Sequence, residues 1–168
     1  DAGIVRAIGV STYTTGETEK AIASGVWNVV QLPFNLMDQR QQALFDMATA
    51  AGVGIVVRSV LMKGLLSERG TGLHEKLAQV EKHIQQYKGF LNGSFKSLPG
   101  LAVKFALSFP QVSSVLIGID KPGYLEQSRA AADGHYLNAE QLKKAQSLAY
   151  PDPAFLNLPY WDKMGWLK

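Results

Sequence analysis

The sequence predicts a parallel α/β fold, and three observations carry that expectation. Apolar, β-branched runs recur at 5–10 (VRAIGV), 27–32 (WNVVQL), 54–60 (GIVVRSV) and 113–118 (SSVLIG). None alternates cleanly between apolar and polar residues, and near-continuous apolar strands are what a parallel sheet covered on both faces requires. Each run leads to a helical signal, so successive strands are joined by crossovers.

The first unit spans 1–25. After its strand, Thr14-Thr15-Gly16-Glu17 reads as a capping box opening a helix to about Ser24, stopped by Gly25. The second unit, 26–52, places a helix from Gln39 to Ala51, with Leu44, Phe45, Met47 and Ala48 apolar and Gly52 closing it. The third, 53–110, is longer. Gly64, Gly70 and Gly72 mark a loop, and a polar helix is expected from about Leu73 to Leu91. The loop NGSFKSLPG (92–100) then precedes an apolar helix at 101–109, between Pro99 and Pro110. The fourth unit, 111–132, ends in a helix from Pro122 to Ala132. Beyond it lie an added helix and a tail, 133–168. Asn138 and Gln141 make a second capping box, for a helix to about Ala149. The tail from Tyr150, with three prolines and five aromatics, reads as an extended segment lying on the fold.

Composition bounds the function. A chain of 168 residues, 46% hydrophobic and 18% charged, suits a single domain that buries roughly 70% of its unfolded surface. The net charge is +3, but the basic residues are scattered singly, which argues against nucleic acid as a partner. Cysteine is absent, excluding disulfides, cysteine-bound zinc and thiol catalysis. The histidines, His74, His83 and His135, show no metal-ligand spacing. No apolar run approaches the ~18 residues that span a bilayer, and no signal-peptide pattern occurs, so a cytoplasmic protein without membrane contact is expected. The immediate opening on a strand suggests the later part of something longer.

Two architectures compete, an open doubly wound sheet and part of a (β/α)8 barrel. A dinucleotide fingerprint would favour the first, yet its nearest match, GTGLHE, carries Glu75 at the third glycine position. Polar residues favour the second. Ser11 and Thr12, Gln31, Arg58 and Ser59, and Gly118 with Asp120 and Lys121 fall at or just past strand C-termini, the working face of such a barrel.

Four segments in this order, VRAIGVSTY (5–13), VVQLPFN (29–35), RSVLMKGLLS (58–67) and LIGIDKPGYLEQS (116–128), resemble the C-terminal half of the aldo-keto reductases. The resemblance covers essentially the whole chain and makes its strands the fifth to eighth of a TIM barrel. It implies NADP or NAD as cofactor and a small carbonyl or sugar-aldehyde substrate. The PFN and VRSVLMKGLL variants are most similar to bacterial members linked with carbohydrate metabolism.

The resemblance implies a cofactor-binding role for eleven positions. Ser11, Thr12 and Gln31 would hold the nicotinamide carboxamide, which offers both a donor and an acceptor. Gln31 can equally cap a backbone group at its strand end, and Ser11 and Thr12 can serve the turn that opens the helix. Arg58 stands where the family sets an aromatic ring against the nicotinamide. A guanidinium can stack on a flat ring, or it can pair with a carboxylate in the barrel mouth. Gly64 and Gly118 would allow close backbone approach to the phosphates, and Ser59 and Leu61 belong to the same cofactor-binding set. Lys121, Gln127 and Ser128 would serve the adenosine end, where Asp120 opposes a 2′-phosphate.

The family's acid–base tetrad of Asp, Tyr, Lys and His comes from strands this chain does not contain. No catalytic residue is therefore assigned, and Tyr13 and Tyr124 read as packing or rim. If about ten aliphatic side chains face the missing half, leaving them wet forfeits roughly 15–30 kcal/mol. The missing N-terminal half-barrel, a second copy in a homo-oligomer, or the aromatic tail must then cover that face. The function expected is the cofactor-binding half of a reductase; the alternative is a non-catalytic half-barrel module or scaffold.

Overall fold

The computed structural model describes residues 3–91 and 95–167. Residues 1, 2 and 168, at the ends of the expected first and last segments, and 92–94 of the expected loop lie outside the described residues. Among the described residues, β1 (Gly9–Ser11), β2 (Val29–Pro33), β3 (Gly54–Arg58) and β4 (Val112–Val115) form one sheet in chain order. All three pairings are parallel. The crossovers carry α1 (Thr15–Ala23), α2 (Phe45–Ala50), then α3 (Ala78–Gln86) with α4 (Leu98–Leu107); α5 (Pro122–Ala131) follows β4. None of the described helices is long and apolar enough to cross a membrane.

The central strands alternate. Val30, Leu32, Ile55 and Val57 are buried, whereas Val29, Gln31, Pro33, Gly54, Val56 and Arg58 are only half-buried. The buried set joins the helices in one apolar cluster with the rings of Phe34, Phe45, Phe105 and Phe109. Phe34 meets the other three rings at centroid distances of 5.0–5.4 Å, a spacing at which aromatic pairs attract.

The opposite face differs from expectation. Register places Gly9, Val29 and Gly54 in one row, Ser11, Gln31, Val56 and Ser114 in the next, and Pro33 beside Arg58. Only Val29 and Val56 among these are branched aliphatics, so the expected set of aliphatic side chains does not line this face. Small and polar residues occupy most of it. The wet apolar surface includes Ile8 before the edge strand β1 and Leu116 and Ile119 beyond the edge strand β4.

Element boundaries shift for local reasons. The expected first strand, 5–10, forms only from Gly9, and Ile4 and Val5 are 86% and 68% exposed. An edge strand is ordered only where its single neighbour reaches it, and the Asn28 side chain closes that ladder by accepting the Ile8 N–H at 3.0 Å. The last strand ends at Val115 after a register shift at which Ser113 Oγ takes the Ile55 N–H. The helix expected over 39–51 begins as a 3₁₀ turn (Arg40–Leu44) before α2, and the polar helix over 73–91 is α3 flanked by 3₁₀ turns.

The tail is not extended. After α6 (Ala139–Ser147) it forms α7 (Leu158–Lys163), capped by Asn157 and started by Pro159, with Trp161 fully buried. The Tyr87 hydroxyl reaches the carbonyls of Leu36 and Leu148, joining the chain after α6 to the turn after β2. Burial pushes the Tyr87 phenol well above its ordinary pKa.

The first capping box forms as expected. Thr14 Oγ1 accepts the Glu17 N–H at 3.2 Å, and Glu17 Oε2 accepts the Thr14 and Tyr13 N–H groups at 2.9 Å each. The Thr14 amide, then the Tyr13 amide, hold the Glu17 carboxyl below the ordinary value of 4.5. A depressed folded pKa gives stability that is present above the unfolded value and lost as pH falls through the folded one. Glu17→Gln keeps an acceptor but does not titrate. The thermal midpoint of the wild type should therefore exceed that of the variant at about pH 6, and the gap should shrink by about pH 3. Calorimetry at the two pH values measures it, and an unchanged gap would remove Glu17 from the acid response.

Candidate functional site

Strand ends and the loops after them build the site. Ser11 and Gln31 are register partners on the inner face, and the Ser11 hydroxyl donates to Gln31 Oε1 at 3.2 Å. Gln31 Nε2 makes no hydrogen bond among the described residues, so the pair presents an amide donor and a hydroxyl towards the open side.

Thr12 does not join them. It is 4% exposed, and its Oγ1 lies 2.7 Å from Thr18 Oγ1 and 3.4 Å from the Gln31 carbonyl. Alternation along the chain turns its side chain into the packing beneath α1, so its hydroxyl is withdrawn from the role the resemblance implies.

Arg58 does not take the expected ion pair. No carboxylate pairs with it among the described residues; Nη2 donates to the Thr12 carbonyl at 2.9 Å and Nη1 to Ser59 Oγ at 3.2 Å. Its guanidinium carbon lies 4.2 Å from the centroid of the Tyr13 ring. One face of the cation is thus taken by the chain's own aromatic, a cation–π contact.

The loop after β3 is held in an unusual shape. Ser59, Met62 and Lys63 all have positive φ, of 60°, 48° and 55°, a region that costs non-glycine residues about 1 kcal/mol or more each. Asn35, 3% exposed, pins this loop: its Nδ2 donates to the Ser59 carbonyl at 3.2 Å, while its Oδ1 accepts the Met37 and Asp38 N–H groups. At Gly70 an added Cβ would lie 2.0 Å from the Leu65 carbonyl oxygen, so the chain closes on itself only with glycine there.

That loop and α5 enclose a cavity of about 670 Å³. Ser59, Leu61 and Gly64 line one wall; Gly118 and Lys121 after β4, with Gln127 and Ser128 on α5, line the other. Asp120 and Glu68 bring negative charge to it, and Lys63 is bonded to Asp162 of α7 at 2.7 Å. Lys121 Nζ sits 5.6 Å from the centroid of the Tyr124 ring. The structure therefore gathers the residues of the expected phosphate and adenosine ends around one space. Ser11, Gln31 and Arg58 stand at the C-terminal ends of β1, β2 and β3 and do not line it. Asn35, Glu68 and Arg69 were not anticipated; the one available signal was an asparagine two residues past the end of β2 and three residues before Asp38.

A model described as the aldo/keto reductase family matches residues 1–149. The chain belongs to the aldo/keto reductase family. An uncharacterised oxidoreductase of Bacillus subtilis (strain 168), YqkF, is 25% identical over 161 residues, covering 86% of this chain and 50% of that protein. The aldo-keto reductase YhdN of the same organism is 26% identical over 166 residues, with 88% and 50% covered. Among solved structures, the apo form of aldo-keto reductase AKR11C1 from Bacillus halodurans superposes with a TM-score of 0.74 at 22% identity. It covers 88% of this chain and 52% of that one, a likeness of fold. The chain spans about half the length of the curated relatives it matches, and its sheet is accordingly a half-barrel.

Removing the Asn35 side chain tests how the loop is held. Asn35→Ala leaves the Ser59 carbonyl and two N–H groups without their partner and should cost about 2–4 kcal/mol. Asn35→Asp keeps the acceptor for both N–H groups but sets a buried carboxylate oxygen against the Ser59 carbonyl, so urea denaturation should show a loss at neutral pH that lessens when the carboxyl is protonated and can donate again.

Proposed function

We propose that this chain is the dinucleotide-binding half, strands five to eight, of a nicotinamide-dependent reductase. The acid–base tetrad then resides on the complementary half, and the substrate is a small carbonyl or sugar-aldehyde compound. The proposed compartment is the cytoplasm. The observation that carries this reading is a cavity lined by the loop after β3, by α4 and by α5, at the same strand ends as the Ser11–Gln31 pair.

The residues present fit such a cofactor in the main. Gln31 Nε2 and the Ser11 hydroxyl match the acceptor and donor of a carboxamide. The left-handed loop turns at Lys63 and Gly64 bring backbone close to the cavity, as a pyrophosphate requires. Gln127 and Ser128 offer amide and hydroxyl groups for an adenine edge. Thr12 contributes only its backbone carbonyl, through Arg58. A dinucleotide held there supplies the hydride; the chain's own residues bind it, orient its carboxamide and screen its phosphates. Asp120, on the cavity wall, opposes a further phosphate on the ribose and favours NAD over NADP relative to the family's habit.

Titration with NADH and NADPH, followed by tryptophan fluorescence, should show saturable quenching that weakens about tenfold in Gln31→Ala, roughly 1.4 kcal/mol. Unchanged affinity in the variant would take Gln31 out of the site. A preference for NADPH near a hundredfold, about 2.7 kcal/mol, would contradict the part given to Asp120.

A non-catalytic half-barrel is the second reading, and one observation favours it. The inner face is mostly small and polar, so an open sheet costs less than a fully aliphatic one would. The edges decide between them. β1 and β4 carry unpaired backbone groups flanked by exposed Ile8, Leu116 and Ile119. The 168 residues alone should therefore form a homodimer or larger assembly without reductase activity. Light scattering coupled to size exclusion measures this. A cooperative monomer that binds no hydrophobic dye would show that neither a second copy nor a missing half is needed.

A further inference from the structure

We propose that Asp162 is a positioning residue for the dinucleotide: by holding Lys63 it fixes one wall of the 670 Å³ cavity and sets how long a bound dinucleotide stays. The inference deepens the dinucleotide reading and rests on it. Asp162 belongs to α7 and lies 99 residues from Lys63 along the chain, yet the ammonium meets its carboxylate at 2.7 Å.

The wall at Lys63 is thin. Lys63 and Arg69 line the dinucleotide cavity and also a second space of about 410 Å³, to which Leu65, Asp162, Trp166 and Leu167 contribute. That space lies between the loop after β3 and the tail. Close packing fixes a group when atoms meet it on every side, and it cannot do so for a stretch between two spaces. Met62 and Leu65 are buried, but Lys63 is exposed and Gly64 only half-buried. The Gly64 and Leu66 N–H groups bond to the Leu61 carbonyl and close the loop on itself, while Asn35 holds its root at Ser59. The pair with Asp162 joins the apex to another element. Lys63 is moreover held at φ 55°, and a strained residue persists only where its surroundings over-determine it.

The tail can bear this role because it is itself anchored. Trp161, next to Asp162, is fully buried, and its ring centroid lies 5.3 Å from that of Phe155. The Trp166 N–H returns to the Trp161 carbonyl at 2.8 Å, with Gly165 at φ 69° making the turn. The Trp166 ring then stacks on His74, at 5.9 Å between centroids and 17° between planes, a second tie to the crossover that contains the loop. Lys63 and Asp162 are 49% and 57% exposed, and an exposed ion pair adds little to overall stability. Its effect is on where the wall stands, not on whether the chain folds.

The test follows NADH on the 168-residue chain and on Asp162→Asn, which removes the charge from an exposed site. Release after rapid dilution, read by NADH fluorescence, should be about two- to fivefold faster in the variant, the range that an exposed pair supports. Association rate and thermal midpoint should not change, whereas a merely structural role would move the midpoint. Asp162→Glu should restore part of the residence time, and salt at about 0.5 M should screen the pair and remove most of the difference. Hydrogen exchange at the bonded amides of Gly64 and Leu65, measured without dinucleotide, should speed up in Asp162→Asn. Unchanged exchange or equal release overturns the proposal. Slower release overturns it as well, because Asp162 would then be competing with the phosphates for Lys63. If the wild type binds no NADH, the dinucleotide reading fails and the proposal falls with it; the exchange data separate that case from a clamp that does not hold.

Discussion

The pairing of β2 with β3 is the constraint from which the rest follows. Five residue pairs, from Val29 with Gly54 to Pro33 with Arg58, fix which side chains face the helices and which face the open side. Side chains alternate strictly along a strand, so a slip of one residue would put Gln31 and Arg58 into the phenylalanine cluster and Leu32 and Val57 into water. Burial of the apolar set forbids that slip. The same energy that assembles the core therefore positions the polar strand ends, and core and site cannot be specified separately.

Much of the fold was legible because each element carried its own local signal. The two capping boxes, at Thr14 and at Asn138, form with both reciprocal bonds. Part of each apolar run became a strand, most fully in β2 and β3, whose branched residues bury on one face. Failures fall where tertiary context overrides local pattern. Val5 looks like a strand residue in sequence, yet at a sheet edge it has no neighbour to bond. Trp161 sits among prolines that suggest an extended tail, but the volume of its ring drives a turn of helix into the core.

The site was legible in place more than in orientation. Position at a strand C-terminus could be read for Ser11, Gln31, Arg58 and Gly118, because it depends only on where a strand stops. Whether a side chain points inward or under a helix depends on register, which is why Thr12 and Ser11, adjacent in sequence, have opposite fates. Arg58 shows a further limit. Besides the adjacent Ser59 hydroxyl, its partners are a carbonyl 46 residues away and a ring from another strand's loop, and those two leave no trace near residue 58. Asn35 was hidden likewise, since an asparagine that bonds backbone resembles any turn residue until the second strand is beside it.

The left-handed loop after β3 has an evolutionary consequence. Glycine at 59, 62 or 63 would relieve backbone strain at each position, yet glycine is absent from all three. Relief at Ser59 would delete the hydroxyl that holds the arginine, and glycine anywhere in the turn would loosen the cavity wall. Drift towards greater stability is thereby set against the fixed shape of this loop within a span of five residues. Selection for heat resistance alone would find its cheapest gains here and loosen the cavity wall as it took them.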